Sequence, residues 1–284
     1  MLFSRAQSHF AVAKLLIFYE MCKFSSKNFS YLGVFSYFCG QNTTKMEKKT
    51  HCIVLRTVKY GDNKLIIDFL TREEGRVSAV WKISTSAKAK VRRQFFQPLT
   101  ILEADFERSP RQQMAQIRDA RMAHLYSTLP FDGIKLSVAF FLAEFLIYAT
   151  RDMHTDARLY DFVEQGLLWL DATSRGVANF HLMFMLRTSR FLGFYPDMES
   201  FSDGALFDLR EGRFVMQAPL HKDFLSPMES RKMLLLMRMT PSNLHLFRMS
   251  RQERLHAIET ILLFYRLHIP AFGEMKTLSV LKEL

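Results

Sequence analysis

From residue 51 onward, apolar and polar positions follow the two-residue period of pleated strands. Residues 52–58 form an apolar, β-branched run that meets a turn at Tyr60-Gly61-Asp62-Asn63. Leu65, Ile67 and Phe69 then alternate with Ile66, Asp68 and Leu70. Glu73-Glu74-Gly75 supplies a hairpin turn, since glycine takes a positive φ without penalty. Val77, Ala79 and Trp81 share one face of the next strand. Leu102, Ala104 and Phe106 face inward on a fourth, with Glu103, Asp105 and Glu107 outward. A less regular fifth strand is expected over 114–122. Five short strands joined by tight turns predict a small β-barrel.

Past Pro130 the period changes. Val138, Phe141, Leu142, Phe145 and Leu146 form an apolar stripe at helical spacing within 134–149. Similar stripes cover 157–170 and 180–192, the latter stopped by Gly193 and Pro196. Residues 197–217 break up around Gly204 and Gly212, with Ala205, Phe207 and Leu209 alternating as a short hairpin would. Helices return over 227–239, with Pro227 in the first turn, over 251–268, and over a final 276–284. The fold class expected is α+β with two domains. A barrel over 46–125 precedes a helical bundle over 126–284 that carries an irregular insertion near 196–217.

Charge sharpens this picture. The 284 residues carry a net charge of +11. Lys and Arg outnumber Asp and Glu 16 to 9 over 46–130, but match them 18 to 18 over 131–284. The excess of the folded part therefore lies on the barrel, and an OB-fold is the commonest basic small barrel. A polyanion is its natural partner, because phosphate contacts release condensed counterions. Residues 1–45 are rich in Phe, Tyr and Ser and lack both a spanning apolar run and a signal-peptide layout. They read as an extension preceding a start at Met46. Cys22, Cys39 and Cys52 form no CxxC pair, which argues against a disulfide framework and a zinc site. A cytoplasmic, nucleoid-associated protein that does not engage membranes is expected.

The candidate chemistry is binding rather than catalysis. Between Glu74 and Glu103 no acidic residue occurs, while Arg76, Lys82, Lys88, Lys90, Arg92 and Arg93 do. Long cations on a loop above a barrel face track a phosphate backbone, and aromatic side chains on that face stack bases without reading sequence. Trp81 and Tyr60 are the nearest stacking candidates, although Trp81 also suits the barrel core. Arg56, Lys59 and Lys64 extend the cationic set. Glu103, Asp105 and Glu107 share a strand face, as nuclease ligands would, but nothing nearby in sequence completes a metal site. No nucleotide-binding loop or HExxH pair is present, so neither enzyme activity nor a cofactor is expected. In the helical part Met183, Met185, Met228, Met233, Met237, Met239 and Met249 suit a core or a peptide-binding groove. Arg231, Lys232 and Arg238 beside such a groove would receive an acidic tail. A basic barrel that binds RNA, with the helices as a scaffold, is the alternative reading.

Several stretches resemble the RecO family of recombination mediators. They are Ile53-Val54-Leu55-Arg56-Thr57, Tyr60-Gly61-Asp62-Asn63, Phe69-Leu70-Thr71 and Glu74-Gly75-Arg76-Val77, followed by Gln97-Pro98-Leu99. Arg190-Phe191-Leu192-Gly193-Phe194-Tyr195-Pro196, Tyr265-Arg266-Leu267-His268 and the run from Lys276 to Leu281 continue the match in family order. The resemblance implies an OB-fold that binds single- and double-stranded DNA and a helical C-terminal domain. It also implies annealing of complementary strands and loading of recombinase onto protein-coated single strands. The partners it implies are RecR and the acidic C-terminal tail of single-strand-binding protein. Many members carry two CxxC pairs after the Gly-Phe/Tyr-x-Pro motif. Residues 197–214 here contain no Cys, so no metal is expected. Ile83 replaces the Gly that often follows the third strand.

Overall fold

The structure is a computed structural model that describes residues 49–83, 94–108, 114–151 and 155–281. The N-terminal extension and Lys88, Lys90, Arg92 and Arg93 lie outside the described residues. Strands β1 (Thr50–Tyr60), β2 (Lys64–Thr71), β3 (Gly75–Lys82), β4 (Ile101–Glu107) and β5 (Ala115–Met122) close a barrel in the order β1-β2-β3-β5-β4. This is the five-stranded, OB-like barrel that the alternation predicts. Its interior is filled by Cys52, Val54, Leu65, Ile67, Phe69, Val77 and Ala79, with Phe96 and Leu102.

Strand β1 is buried on both sides. Cys52 and Val54 point into the barrel, whereas Ile53 and Leu55 join Leu70, Leu99 and Ile101 in a second core shared with the helices. A register shift between Val54 and Arg56 makes this possible. The extra residue, Leu55, stays under the helices, and Arg56 emerges opposite Asp68.

The helical part contains α1 (Gly133–Ala149), α2 (Ala157–Ala172), α3 (Val177–Phe191), α4 (Pro227–Met237), α5 (Arg251–His268) and a short α6 (Leu278–Leu281). Asp132 caps α1, and capping boxes Ser226/Glu229 and Ser250/Glu253 start α4 and α5. Helix α3 ends where Gly193, at φ 84°, reverses the chain. Phe194 then stacks on His268 at 4.8 Å. The Leu-Gly-Phe-Tyr-Pro stretch thus closes one helix onto the last turn of another.

Two expectations need correction. The final helix, expected over 276–284, is the single turn Leu278–Leu281 among the described residues. The insertion forms the short hairpin expected around Ala205, Phe207 and Leu209, as β6 (Leu206–Asp208) paired with β7 (Arg213–Val215), and extends it to a three-stranded sheet with β8 (Phe224–Leu225) on the other side of β6. Its third strand falls beyond the expected limit of 217, because two residues are too few to show a period. Among the described residues no helix is long and apolar enough to cross a membrane.

The segment joining barrel to helices is tied down by one carboxylate. Asp171, near the end of α2, accepts from the backbone N–H of Ser127 (2.9 Å), Thr128 (2.8 Å) and Leu129 (2.7 Å). Buried Lys135 donates to the Asp171 carbonyl at 2.7 Å and to Thr128 Oγ1 at 2.6 Å. Burial opposes the charge on Asp171, but the three backbone donors prevail and hold its carboxyl below the usual range.

Candidate nucleic-acid interface

Alternation and register fix what the outer barrel face presents. Tyr60 pairs with Lys64 and Lys64 with Lys82, so these three form one row across β1, β2 and β3. The next rows are Val58–Ile66–Val80 and Arg56–Asp68–Ser78. The helices cover the far end of these strands, at Ile53, Leu55 and Leu70. Among the described residues nothing covers the Tyr60–Lys64–Lys82 end, with Tyr60 58% exposed. This is the β2–β3 face and adjoining loop region that OB-folds use for oligonucleotides. Lys59 is exposed at the same end of β1.

Trp81 sits at the margin of the barrel core. It is half-buried, with its ring edge-on to Phe96 at 4.8 Å. The parallel pairing of β3 with β5 covers only Ala79–Ala115 and Val80–Gln116. Beyond that seam a cleft of about 480 Å³ opens over Trp81, flanked by Lys64, Lys82 and Arg118. A flat ring between cations suits a stacked base whose neighbouring phosphates lie on the lysines. Lys88, Lys90, Arg92 and Arg93 follow β3 in the sequence and lie outside the described residues.

Two of the expected cations are committed elsewhere. Asp68, 3% exposed, accepts from Ser78 Oγ (2.6 Å) and Arg56 Nε (2.9 Å), and Arg76 Nη2 lies 3.4 Å away. Burial disfavours the Asp68 charge, but the Ser78 hydroxyl and the two guanidiniums outweigh it and keep the carboxyl below its usual range. Arg76 Nη1 also donates to the Ile147 carbonyl at 2.7 Å, so it caps the last turn of α1 and clamps barrel to helices. Arg56 keeps half of its side chain in solvent. The acidic row of β4 is met by arginines of β5, with Glu103 on Arg121 and Glu107 on Arg118 at 2.6 Å.

The methionines divide. Met183, Met185 and Met237 are buried in the core, and Met228 is exposed. Met233, Met239 and Met249 line a groove of about 530 Å³ between α4 and the start of α5, with exposed Leu235 and Leu246 at its edge. Lys232 stands on its rim, 3.8 Å from Glu253, and Arg231 pairs with Asp203 at 3.1 Å. Arg238 caps the end of α4.

Among the described residues the β6–β8 sheet does not assemble a zinc ligand set. Its polar centre is Asp208, which accepts from the N–H of Arg210 (2.8 Å) and Glu211 (3.1 Å) and sits 3.4 Å from His221 Nε2. Phe207 and Phe214 pack edge-to-face at 4.9 Å beside it. One imidazole and one occupied carboxylate fall short of the four donors that structural zinc takes.

Comparison with known proteins agrees with this geometry. The family model described as Recombination protein O N terminal matches residues 46–126, and Recombination protein O C terminal matches 130–277. A DNA repair protein RecO of Phocaeicola vulgatus is 42% identical over 239 residues, covering 84% of this chain and 99% of that protein. Its counterpart in Bacteroides fragilis is 38% identical over 240 residues, with 84% and 99% coverage. That of Porphyromonas gingivalis is 34% identical over 242 residues, with 83% and 98% coverage. With both halves matched in order and nearly the whole length of its relatives spanned, the chain belongs to the RecO family.

Proposed function

We propose that this chain is a mediator of recombinational DNA repair that binds single- and double-stranded DNA, anneals complementary strands and helps recombinase load onto protein-coated single strands. The observation that carries this reading is the open Tyr60–Lys64–Lys82 row beside the Trp81 cleft, at the barrel end that the helices leave free. Phosphates lie on Lys59, Lys64, Lys82 and the loop cations, and a base stacks on Trp81. Arg56 assists through its exposed half, while Arg76 serves the interdomain clamp. The acidic tail of single-strand-binding protein fits the methionine-lined groove, apolar side chains within and carboxylates toward Arg231, Lys232 and Arg238. RecR is the other expected partner. The chemistry is binding, without catalysis or a cofactor.

A salt titration tests the interface. Each lysine or arginine that neutralises a phosphate of a single strand adds about −0.7 to the slope of log K against log[salt]. Replacing Lys88, Lys90, Arg92 and Arg93 by Ala flattens that slope by up to about 3, and Lys64→Ala/Lys82→Ala by about 1.4. Affinity falls alike for mixed and homopolymer DNA. Unchanged slopes in both variants place the binding surface elsewhere. Tighter binding to matched RNA than to DNA favours an RNA-binding module instead.

A further inference from the structure

Residues 131–284 are neutral overall, yet their charge is locally uneven. A cleft of about 680 Å³ lies between the first turn of α3, the short turn Leu244–Leu246 and the segment leading into α5. Arg175, His245, Arg248 and Arg254 line it, and no acidic residue does. Arg175 and Arg248 are exposed, and among the described residues neither is paired with a carboxylate. Helix α3 starts here on Gly176, which has no side chain to accept from the first-turn N–H groups, and that turn carries no acid. Glycine is required at this place. Its φ is 77°, and a Cβ would meet Leu244 Cβ at 2.9 Å.

One buried side chain of the cleft points to a ligand independently of the charge, and a second lies behind it. Asn179, 4% exposed, lines the cleft and donates through Nδ2 to the Phe247 carbonyl at 2.7 Å, but its Oδ1 has no hydrogen-bond partner. His181, 3% exposed, lines an adjoining cavity of about 150 Å³ that shares Ala178 and Arg254 with the cleft. Both of its ring nitrogens lack partners. Burial, assisted by the Arg254 charge, pushes its pKa down to about 3, so the ring is neutral at pH 7 and offers one donor and one acceptor. Buried polar atoms are rarely left unpaired without a reason. The set of cations, free helix N–H groups and one buried acceptor suits a ligand that is anionic and also carries a hydrogen-bond donor.

We propose that this cleft is a second strand-binding site, which takes the sugar–phosphate backbone of a single strand on Arg175, Arg248 and Arg254 and a base N–H on Asn179 Oδ1. The inference rests on the strand-annealing function proposed above and adds to it, since no residue of the cleft belongs to the barrel. Annealing holds two polyanions side by side, and one cationic face neutralises only one of them. A polynucleotide is favoured over an acidic peptide because three arginines and no acid line the cleft, whereas the methionine groove, which shares Phe247, Arg248 and Met249 with it, also carries Glu229 and Glu253.

The test uses the full chain and two complementary mixed-sequence strands. Arg175→Glu/Arg248→Glu binds one strand per chain at saturation where the unmodified protein binds two, and anneals the pair at least ten-fold more slowly. Arg175→Lys/Arg248→Lys, which keeps the charge, anneals normally. Both residues are exposed, and unchanged thermal melting verifies that neither variant unfolds. Photocrosslinking of a reactive strand reads the cleft without reference to annealing, through adducts on peptides spanning 175–181 or 245–254. Absence of those adducts, or annealing at the normal rate by the glutamate variant, overturns the second site. Adducts in a protein that does not anneal leave the site standing and overturn the annealing function. An acidic peptide that occupies the cleft and is not displaced by DNA assigns it to a protein partner, and that too overturns the proposal.

Discussion

Asp68 illustrates how a charged side chain on the outer barrel face can serve the scaffold. It pairs with Arg56 and Arg76 and, through Arg76, joins the barrel to the end of α1. Asp68→Asn removes the charge while nearly preserving shape, and it leaves Arg76 only 17% exposed without its counter-ion. The expected loss is about 3 kcal/mol, the low end for breaking a buried pair, because Arg56 still reaches water. The sign with pH follows from the lowered folded-state pKa. The carboxylate contributes fully above its unfolded pKa of about 3.9, and that contribution disappears as pH falls through the lower folded value. Urea unfolding should therefore separate the two proteins widely at pH 7 and bring them together well below pH 4. A gap that persists in acid would mean that shape, not charge, holds the clamp. Nothing in the sequence marks Asp68 for this work. It reads as one more outward-facing polar residue, and its partners are set by strand register.

Elements of regular period were legible in full, while of the short ones only the β6–β7 hairpin left a trace, in Ala205, Phe207 and Leu209. Eight residues of β2 or eighteen of α5 display their period several times, whereas β6, β7 and β8 have three, three and two residues. The stability of that small sheet must come from Asp208 and the phenylalanines around it. Asp208→Ala should cost about 2 kcal/mol by stranding backbone donors that the carboxylate now satisfies. Elemental analysis of the purified protein should find no stoichiometric zinc, and a chelator should leave its melting temperature unchanged. A melting temperature that drops with chelator would show metal supplying what is here assigned to side chains. The basic cleft was hidden for a different reason. Its cations come from separate segments around Arg175, His245 and Arg254, and the acids elsewhere in the helices cancel them in any regional count.

At the scale of the whole molecule, the two halves share one core. Ile53, Leu55, Leu70, Leu99 and Ile101 belong to the barrel strands and their approach, yet they pack with Leu142, Phe145 and Leu146 of α1 and their neighbours. The sequence marks two regions by a change of period and says nothing of this shared surface, because β1 reads as one uninterrupted apolar run. Calorimetry of the protein should accordingly show one cooperative transition. A fragment of residues 46–126 should fold poorly or aggregate, since it exposes those five side chains at about 25 cal/mol per Å² of lost burial. Two separated transitions, or a well-folded soluble fragment, would show the halves to be independent.

The sandwiching of β1 also bears on chemical reactivity. Cys52 lies fully inside the barrel on this strand, and burial drives its thiol far from ionisation. Because the same strand is held from outside by α1, a reagent reaches that sulfur only when barrel and helices part together. The thiol therefore acts as an internal clock for that event. Events confined to the barrel surface or to the methionine groove leave it silent, and it registers only the rare opening in which the shared core gives way.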